Sequence, residues 1–318
     1  MIGVANPTID PGGLVDTDLD TLATALYVKI DDELKMRPQL GRARPEVGLC
    51  PKLSDAELIT LAVIQALLGF TSETRFLRHA AAHLRHRFPY VPGQSGYNKR
   101  LRRGASQLRA VIRLLGAETA KWNEAMWLVD STPVECGRSR ETAKRSELVG
   151  FAGYGYCASH SRYFWGLRLH LVCTPGGLPV AFALARPKAD EREVLRDLFE
   201  IEPELLRCRR GQVIVADKGY RSRELDAFLA REGATFVRPK MAGESPRPGA
   251  ELLKHFRQII ESINQTLKSQ LDLERHGGRT LAGVATRIFQ RVLALTAVIW
   301  HNERSDQFPL RSLVAYDH

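Results

Sequence analysis

An α/β fold, in which a mixed sheet is flanked by helices and preceded by an all-helical region, is predicted by two observations. Apolar residues recur at helical spacing before about residue 120, whereas short β-rich runs alternate with helical runs from residue 124 onwards. The 318 residues also exceed the about 100 to 200 residues of a typical domain. We therefore predict a helical basic region over residues 1–123, an α/β domain over 124–304 and a tail over 305–318.

The charge of the chain points to a polyanionic partner. The formal net charge is +10, and the stretch from Leu58 to Asn123 holds eleven lysines and arginines but only two acids. A basic face of this density attracts phosphate backbones and gives salt-dependent affinity. A solvated charged surface without a nucleic-acid partner is the alternative.

Cellular location is predicted from what the sequence lacks. Its five cysteines show no zinc-binding spacing, and the N-terminal region carries Asp10, Asp16, Asp18 and Asp20 where a signal peptide needs positive charge. The longest apolar stretches fall short of the roughly 18 residues of a membrane span. These features predict a cytoplasmic protein without a membrane partner.

Five helices are predicted in the basic region. The clearest begins after Ser54, because Glu57 three residues later completes a capping box ahead of an apolar run. The linker Arg37–Pro51 precedes it. The predicted helices are Leu19–Lys35, Leu58–Leu68, Thr74–Arg87, Gly96–Arg103 and Gln107–Gly116. A helix-turn-helix-like DNA-binding unit and a helical dimerisation unit both fit this pattern.

The second region combines strands and helices in a recognisable order. A long polar loop, Ser131–Arg162, is expected after the first strand. The predicted strands are Met126–Asp130, Phe164–Thr174, Leu178–Ala185, Gln212–Asp217 and Ala234–Arg238. The predicted helices are Asp190–Glu200, Ser222–Arg231, Leu252–Leu271 and Leu281–Trp300. This is the order of a ribonuclease H-like domain, and ligand sites of such sheets lie near strand ends.

Two of these strands, the first and the fourth, end in an aspartate. Asp130 and Asp217 each follow a buried apolar run, and converging desolvated carboxylates need cations. Magnesium prefers oxygen ligands, and two ions about 3.5 to 4 Å apart can assist phosphoryl transfer. The simpler alternative is that each aspartate caps the next turn.

A third acid lies on the helix predicted over Leu252–Leu271. At 100° per residue, Arg257, Glu261, Asn264 and Lys268 share one face, beside a separate apolar stripe. Any surface helix can show this pattern, so helical geometry alone leaves the role of Glu261 open.

Together these residues resemble a known family. Asp130-Ser131-Thr132-Pro133-Val134, Ala216-Asp217-Lys218-Gly219-Tyr220 and Arg257-x3-Glu261-x6-Lys268 are similar to the three signature blocks of bacterial insertion-sequence transposases. The sequence Trp165–His170 in the predicted hairpin also resembles the insertion-sequence nine-eighty-two family. One departure is Lys254, which stands where related transposases often carry a tyrosine.

The resemblance implies a DDE transposase whose metal-binding triad is Asp130, Asp217 and Glu261. The implied cofactor is a pair of Mg²⁺ ions, for which Mn²⁺ could substitute. The implied partner is double-stranded DNA, as transposon terminal inverted repeats and as target DNA. A homodimer is expected because two DNA ends must be joined, and the implied location is the bacterial nucleoid within the cytoplasm.

Further residues are candidates for DNA contacts. The candidates are Arg257, Lys268, Lys218, Tyr220, Lys99, Arg100, Arg102 and Arg103. For Arg257 the alternative is pairing with Glu261 four residues on, and for Lys218 and Tyr220 it is a turn around Gly219. Asp190-Glu191 could supply a substitute acid, while His170 is expected to be structural.

Two other functions fit the same residues. One is a ribonuclease H-like nuclease without strand transfer, and the other is a catalytically decayed copy that only binds DNA. The presence of all three acids and of the basic helix face argues against the second.

Overall fold

The computed structural model describes residues 11–41, 50–157, 161–245, 249, 251 and 253–316. It shows a helical N-terminal region followed by a mixed sheet with helices against its faces. The predicted fold class, a ribonuclease H-like mixed sheet behind a helical region, is confirmed.

All five helices predicted for the N-terminal region are present. They are α1 (Pro11–Met36), α2 (Asp55–Leu67), α3 (Glu73–His83), α4 (Gln94–Arg103) and α5 (Ala105–Ala117). The capping box at α2 is confirmed, since Glu57 N donates to Ser54 Oγ at 3.0 Å and Ser54 N to Glu57 Oε2 at 2.6 Å. Most of the expected linker Arg37–Pro51 lies outside the described residues.

The α/β region contains strands and helices in alternation. The strands are β1 (Met126–Gly137), β2 (Gly153–Cys157), β3 (Arg162–Cys173), β4 (Pro179–Ala185), β5 (Val213–Ala216) and β6 (Thr235–Val237). The helices are α6 (Arg140–Arg145), α7 (Glu191–Ile201), α8 (Glu204–Arg207), α9 (Arg223–Arg231), α10 (Leu253–Gln265) and α11 (Leu281–Arg304). A π-helical turn, Thr266–Gln270, follows α10.

The sheet is centred on β1. Its order is β2-β3-β1-β5-β6, and β4 shares the outer edge of β3 with β2. β1 runs antiparallel to β3 and parallel to β5, and the parallel register extends from Met126 opposite Val213 to Val129 opposite Ala216. The two parallel strands therefore stop pairing at the same edge.

Two expectations for this region were wrong. β1 does not end at Asp130, and Ser131–Arg162 is not one long loop, because it contains the second half of β1, then α6 and β2. The second half of β1 mixes polar residues with Pro133, Val134 and Cys136, and its backbone pairs with β3 over Asp130–Gly137. Long-range pairing, which local patterns do not report, decides this segment.

The helix α11 joins the two regions. It packs against α1, α2, α5 and β4, and its apolar side chains share one buried cluster with the N-terminal helices. By length and composition α11 could cross a membrane, but 78% of its most apolar window is buried inside the protein. That burial is typical of a core helix, as the sequence predicted.

Gly166 in β3 allows a close approach of β1. A Cβ added there would collide with the Val134 carbonyl oxygen and lie 2.9 Å from Cys136 N. The β1–β3 register shifts between Glu135 and Gly137, next to this contact. The glycine of the Trp165-Gly166 hairpin motif is therefore required by packing.

We predict that Gly166→Ala lowers the free energy of unfolding by about 1 to 3 kcal/mol, because backbone atoms of β1 must move away from the new methyl group. Chemical denaturation of the purified proteins measures this change.

Gly96→Ala is the matched control, since an added Cβ on this α4 residue meets nothing within 4 Å. Removing a glycine from a helix should raise stability by about 0.5 to 1 kcal/mol. Equal effects of the two substitutions would contradict the packing role of Gly166.

Candidate active site

The two predicted aspartates lie side by side at the end of the parallel pairing. Val129 and Ala216 are the last residues paired between β1 and β5, and Asp130 and Asp217 follow them directly. Both carboxylates are partly buried and line one cleft of about 1010 Å³. The sheet register therefore brings two residues that are far apart in sequence to one site.

Asp130 sits in an environment that opposes its negative charge. The pKa of its carboxyl is raised to about 7, chiefly by burial and also by the negative charges of nearby Asp217 and Glu191. A hydrogen bond from the Ser131 amide and the charge of Arg168 act in the opposite direction. A cation near this carboxyl would relieve the repulsion.

Asp217 also stabilises the turn that follows it. Its Oδ1 accepts a hydrogen bond from Gly219 N at 2.6 Å, at the start of the short 3₁₀ helix Lys218–Tyr220. The capping role considered for this aspartate is thus present. This hydrogen bond occupies one carboxylate oxygen, and Asp217 still lines the cleft.

The helix α10 brings its polar face to the same cleft. Arg257, Glu261, Asn264 and, just beyond the helix, Lys268 all line it. Asn264 Nδ2 donates to Asp130 Oδ2 at 2.8 Å, which ties α10 to β1. The shared helix face expected from the spacing of these residues is therefore the face turned toward the aspartates.

Glu261 has a partner on its own helix. Arg257 Nε donates to Glu261 Oε1 at 2.9 Å, and both side chains are more than half exposed. The helical pairing considered as an alternative is thus present. Exposed pairs of this kind contribute little to stability.

A fourth acid lies close to the two aspartates. Glu191 Oε1 accepts hydrogen bonds from Ser131 Oγ at 2.6 Å and from Arg168 Nη1 at 2.9 Å. A Cβ added at Gly219 would collide with Glu191 Oε2 and lie 3.4 Å from Asp217 Oδ1. Glu191, which the sequence suggested only as a substitute acid, therefore lines the cleft together with Arg168.

The fit of the site to divalent cations is partial. Crowded carboxylates at Asp130 and Asp217 are suitable oxygen ligands, and the buried Asn264 Oδ1 has no hydrogen-bond partner among the described residues. Within the described ranges, however, no three acidic, histidine or cysteine side chains lie close enough to form a metal site. Glu261 would have to leave Arg257 to join the aspartates.

Tyr220 and His170 belong to the interior. Tyr220 is 1% exposed, and its hydroxyl lies 3.4 Å from Nδ1 of His170. Burial lowers the pKa of His170 to about 4, so its ring is neutral at neutral pH. Tyr220 has no surface for the DNA contact considered from the sequence, because its side chain completes the core beneath the turn.

The basic residues of α4 separate into two groups. Arg100 is engaged within the fold, donating to Leu53 O at 2.6 Å and pairing with Asp55 at 2.8 Å. Lys99, Arg102 and Arg103 are exposed and lie on one face of the helix. Elsewhere in the basic stretch, ion pairs with acids are made by Arg87, Arg109 and Arg113.

Comparison with known proteins identifies the domain that carries this cleft. Residues 123–297, more than half of the chain, match the family model of the transposase DDE domain. The chain belongs to this family. Membership implies DNA binding, and transposase DDE domains generally use divalent metal ions. No curated protein sequence matches the chain.

The match covers all three predicted acids as well as Asn264 and Lys268 of the DDE domain. The finer resemblance to the nine-eighty-two family stays a prediction. Lys254, which replaces the tyrosine of related transposases, also lines the cleft.

The raised pKa of Asp130 predicts how stability depends on pH. The unfolded carboxyl loses its proton near pH 4 and the folded one near pH 7, so folding is progressively disfavoured between these values. Asp130→Asn removes this effect and should stabilise the metal-free protein by up to about 4 kcal/mol at pH 8. Melting temperatures from pH 4 to 9 measure the difference.

Asp197→Asn, at an exposed position of α7, is the control and should show no such trend. A constant difference between Asp130→Asn and wild type over this pH range would mean that Asp130 titrates normally.

Proposed function

We propose that this protein is an insertion-sequence transposase that cuts transposon-end DNA and joins it to target DNA in the cleft. One observation carries the proposal: Asp130, Asp217 and Glu261 line a single cleft of a transposase DDE domain, together with Arg257 and Lys268. Paired carboxylates beside basic side chains suit a phosphodiester substrate.

Asp130, Asp217 and Glu261 would hold the divalent cations. Such cations, when bound, stabilise charge on the attacking and leaving oxygens of phosphoryl transfer. Glu261 is exposed and would move toward the aspartates once Arg257 exchanges this carboxylate for a DNA phosphate. The Arg257 guanidinium is then free to bind that phosphate.

The surrounding residues hold Asp130 in place. Asn264 occupies one carboxylate oxygen, and the Ser131–Glu191–Arg168 network fixes the strand segment that follows. Preorganised side chains lower the cost of reaching the reactive arrangement. Lys218 and Lys268 also line the cleft and would neutralise the phosphates of a bound strand.

The reaction follows in two displacements at one site. Water attacks a phosphodiester at the element end, releasing a 3′-hydroxyl, and this hydroxyl then attacks a phosphodiester of target DNA. The leaving 3′-oxygen takes a proton in each step. A nuclease without strand transfer would perform only the first displacement.

We predict that Asp130→Ala, Asp217→Ala and Glu261→Ala each abolish Mg²⁺-dependent cleavage of a labelled transposon-end duplex, while duplex binding changes little. Gel analysis of cleaved and joined products measures the activity, and fluorescence anisotropy measures binding. Glu200→Ala, at an exposed position of α7, is the control and keeps wild-type activity.

The exchange Arg257→Glu with Glu261→Arg distinguishes catalysis from pairing. It restores an ion pair on α10 but removes the carboxylate from position 261, so cleavage should remain lost. Full activity of this double variant would assign Glu261 a structural role. Cleaved but never joined product from the wild type would favour the hydrolytic nuclease.

A further prediction concerns DNA binding by the exposed face of α4. Lys99→Ala with Arg103→Ala should lower the slope of log affinity against log salt concentration by roughly two, because each phosphate contact contributes about 0.9. Anisotropy titrations of duplex DNA at several salt concentrations measure this slope.

The charge-matched control is Arg223→Ala with Arg231→Ala, two exposed bases of α9. An identical change in slope for both pairs would mean that α4 contributes only through net charge.

A further inference from the structure

A patch of exposed tyrosines lies on the hairpin formed by β2 and β3. Tyr154, Tyr156 and Tyr163 are 50%, 47% and 79% exposed, which is unusual for aromatic side chains in strands. Tyr156 pairs across the hairpin with Tyr163, and their rings lie 5.0 Å apart. The patch has no role in the chemistry proposed for the cleft.

The sequence of β2 directs these rings outward. Glycine and tyrosine alternate over Gly153–Tyr156, so the two tyrosines share one face of the strand. The opposite face is held close to the fold, since a Cβ at Gly155 would lie 2.6 Å from Pro187 and 2.8 Å from Phe164. The hairpin is thus built with a packed inner face and an aromatic outer face.

Basic side chains surround the tyrosines. Tyr154 and Tyr163 line a groove of about 850 Å³ with Arg138, Arg140 and Lys144, and we call it the tyrosine groove. Glu135 also lines it, but the bases outnumber this acid. Aromatic faces between cationic side chains are the combination that binds nucleic-acid bases together with their phosphates.

The tyrosine groove is connected to the active-site cleft by an intermediate cavity. This cavity of about 550 Å³ shares Lys268 with the cleft and Arg138 with the tyrosine groove. A cation therefore stands at each junction. Arg162 and Arg275 also line the intermediate cavity, where Arg162 is paired with Glu274 at 2.8 Å. The cleft, the intermediate cavity and the tyrosine groove are therefore neighbours, and each shares a lining side chain with the next.

A second connection passes through the main chain of β2. Arg168, which lines the cleft, donates from Nη2 to the carbonyl oxygen of Tyr156 at 3.0 Å. Cys157, the next residue, also lines the cleft. Tyr156, whose ring contacts that of Tyr163, is thus one residue away from the lining of the cleft.

We propose that the tyrosine groove binds unpaired bases of the DNA strand that leaves the cleft, with Tyr154 and Tyr163 as stacking surfaces. This inference rests on the function proposed above and adds a binding site for single-stranded DNA to it. Stacking is tolerant of sequence because every base has an aromatic face, whereas paired bases of a duplex do not offer theirs.

A second copy of this chain is the competing occupant, since exposed aromatic patches also occur at protein interfaces. The surrounding basic side chains favour nucleic acid as the occupant, because two copies of a cationic groove would repel each other. The test therefore records oligomeric state as well as binding.

Binding of a fluorescent oligo-dT strand, measured by anisotropy in EDTA, tests the proposal independently of cleavage. Tyr154→Ala with Tyr163→Ala should weaken oligo-dT binding roughly tenfold or more, while blunt-duplex affinity changes less than about twofold. Tyr154→Phe with Tyr163→Phe keeps the rings and should bind like wild type.

Tyr27→Ala is the control, an exposed tyrosine of α1 beside Asp31. It should leave oligo-dT binding unchanged. Melting temperatures establish that the variants remain folded, as expected for side chains so exposed.

Unchanged oligo-dT binding by the double alanine variant would overturn the proposal. So would an equal loss for duplex and single strand, or a shift from dimer to monomer in sedimentation without loss of oligo-dT binding. Because EDTA removes any cleavage, loss of oligo-dT affinity would support the tyrosine groove even if the chain proved unable to join DNA.

Discussion

The parallel pairing of β1 with β5 is the constraint on which the site depends. Its last pair, Val129 with Ala216, places two carboxylates at one edge of the sheet, where the charge of Asp217 helps to raise the pKa of Asp130. The antiparallel pairing of β1 with β3 then brings Arg168 to one side, and α10 brings Asn264 and Glu261 to the other. A change in the register of β1 against β5 would separate Asp217 from Asp130 and from the groups that β3 and α10 bring to Asp130.

Elements with strong local signals were predictable from the sequence. The capping box at Ser54 placed α2 to within a few residues, and the apolar run before Asp217 identified β5. The second half of β1 and all of β2 were not predicted. Both segments contain strand-favouring residues such as Val134 and Tyr154, but Pro133 and several glycines interrupt the pattern, so pairing with β3 decides their strand character.

The residues of the candidate site likewise divide into those that the sequence predicted and those that it did not. The acids could be singled out because strand ends, helix spacing and the family resemblance all point to them. The Ser131–Arg168–Glu191 network could not be derived, because it joins β1, β3 and α7, which lie far apart in sequence. The burial of Tyr220 could not be predicted either, because the motif that contains it does not indicate which side chain faces the core.

The position of α11 also bears on how the chain acquires its structure during synthesis. Helices α2 and α5 leave the ribosome early, yet the apolar surface that covers them belongs to a helix translated near the end of the described chain. The buried contact of Arg287 with Glu73 likewise waits for this late segment. The N-terminal helices therefore remain without their covering helix while the sheet is still being made, and chaperones that shield apolar surfaces would act in that interval.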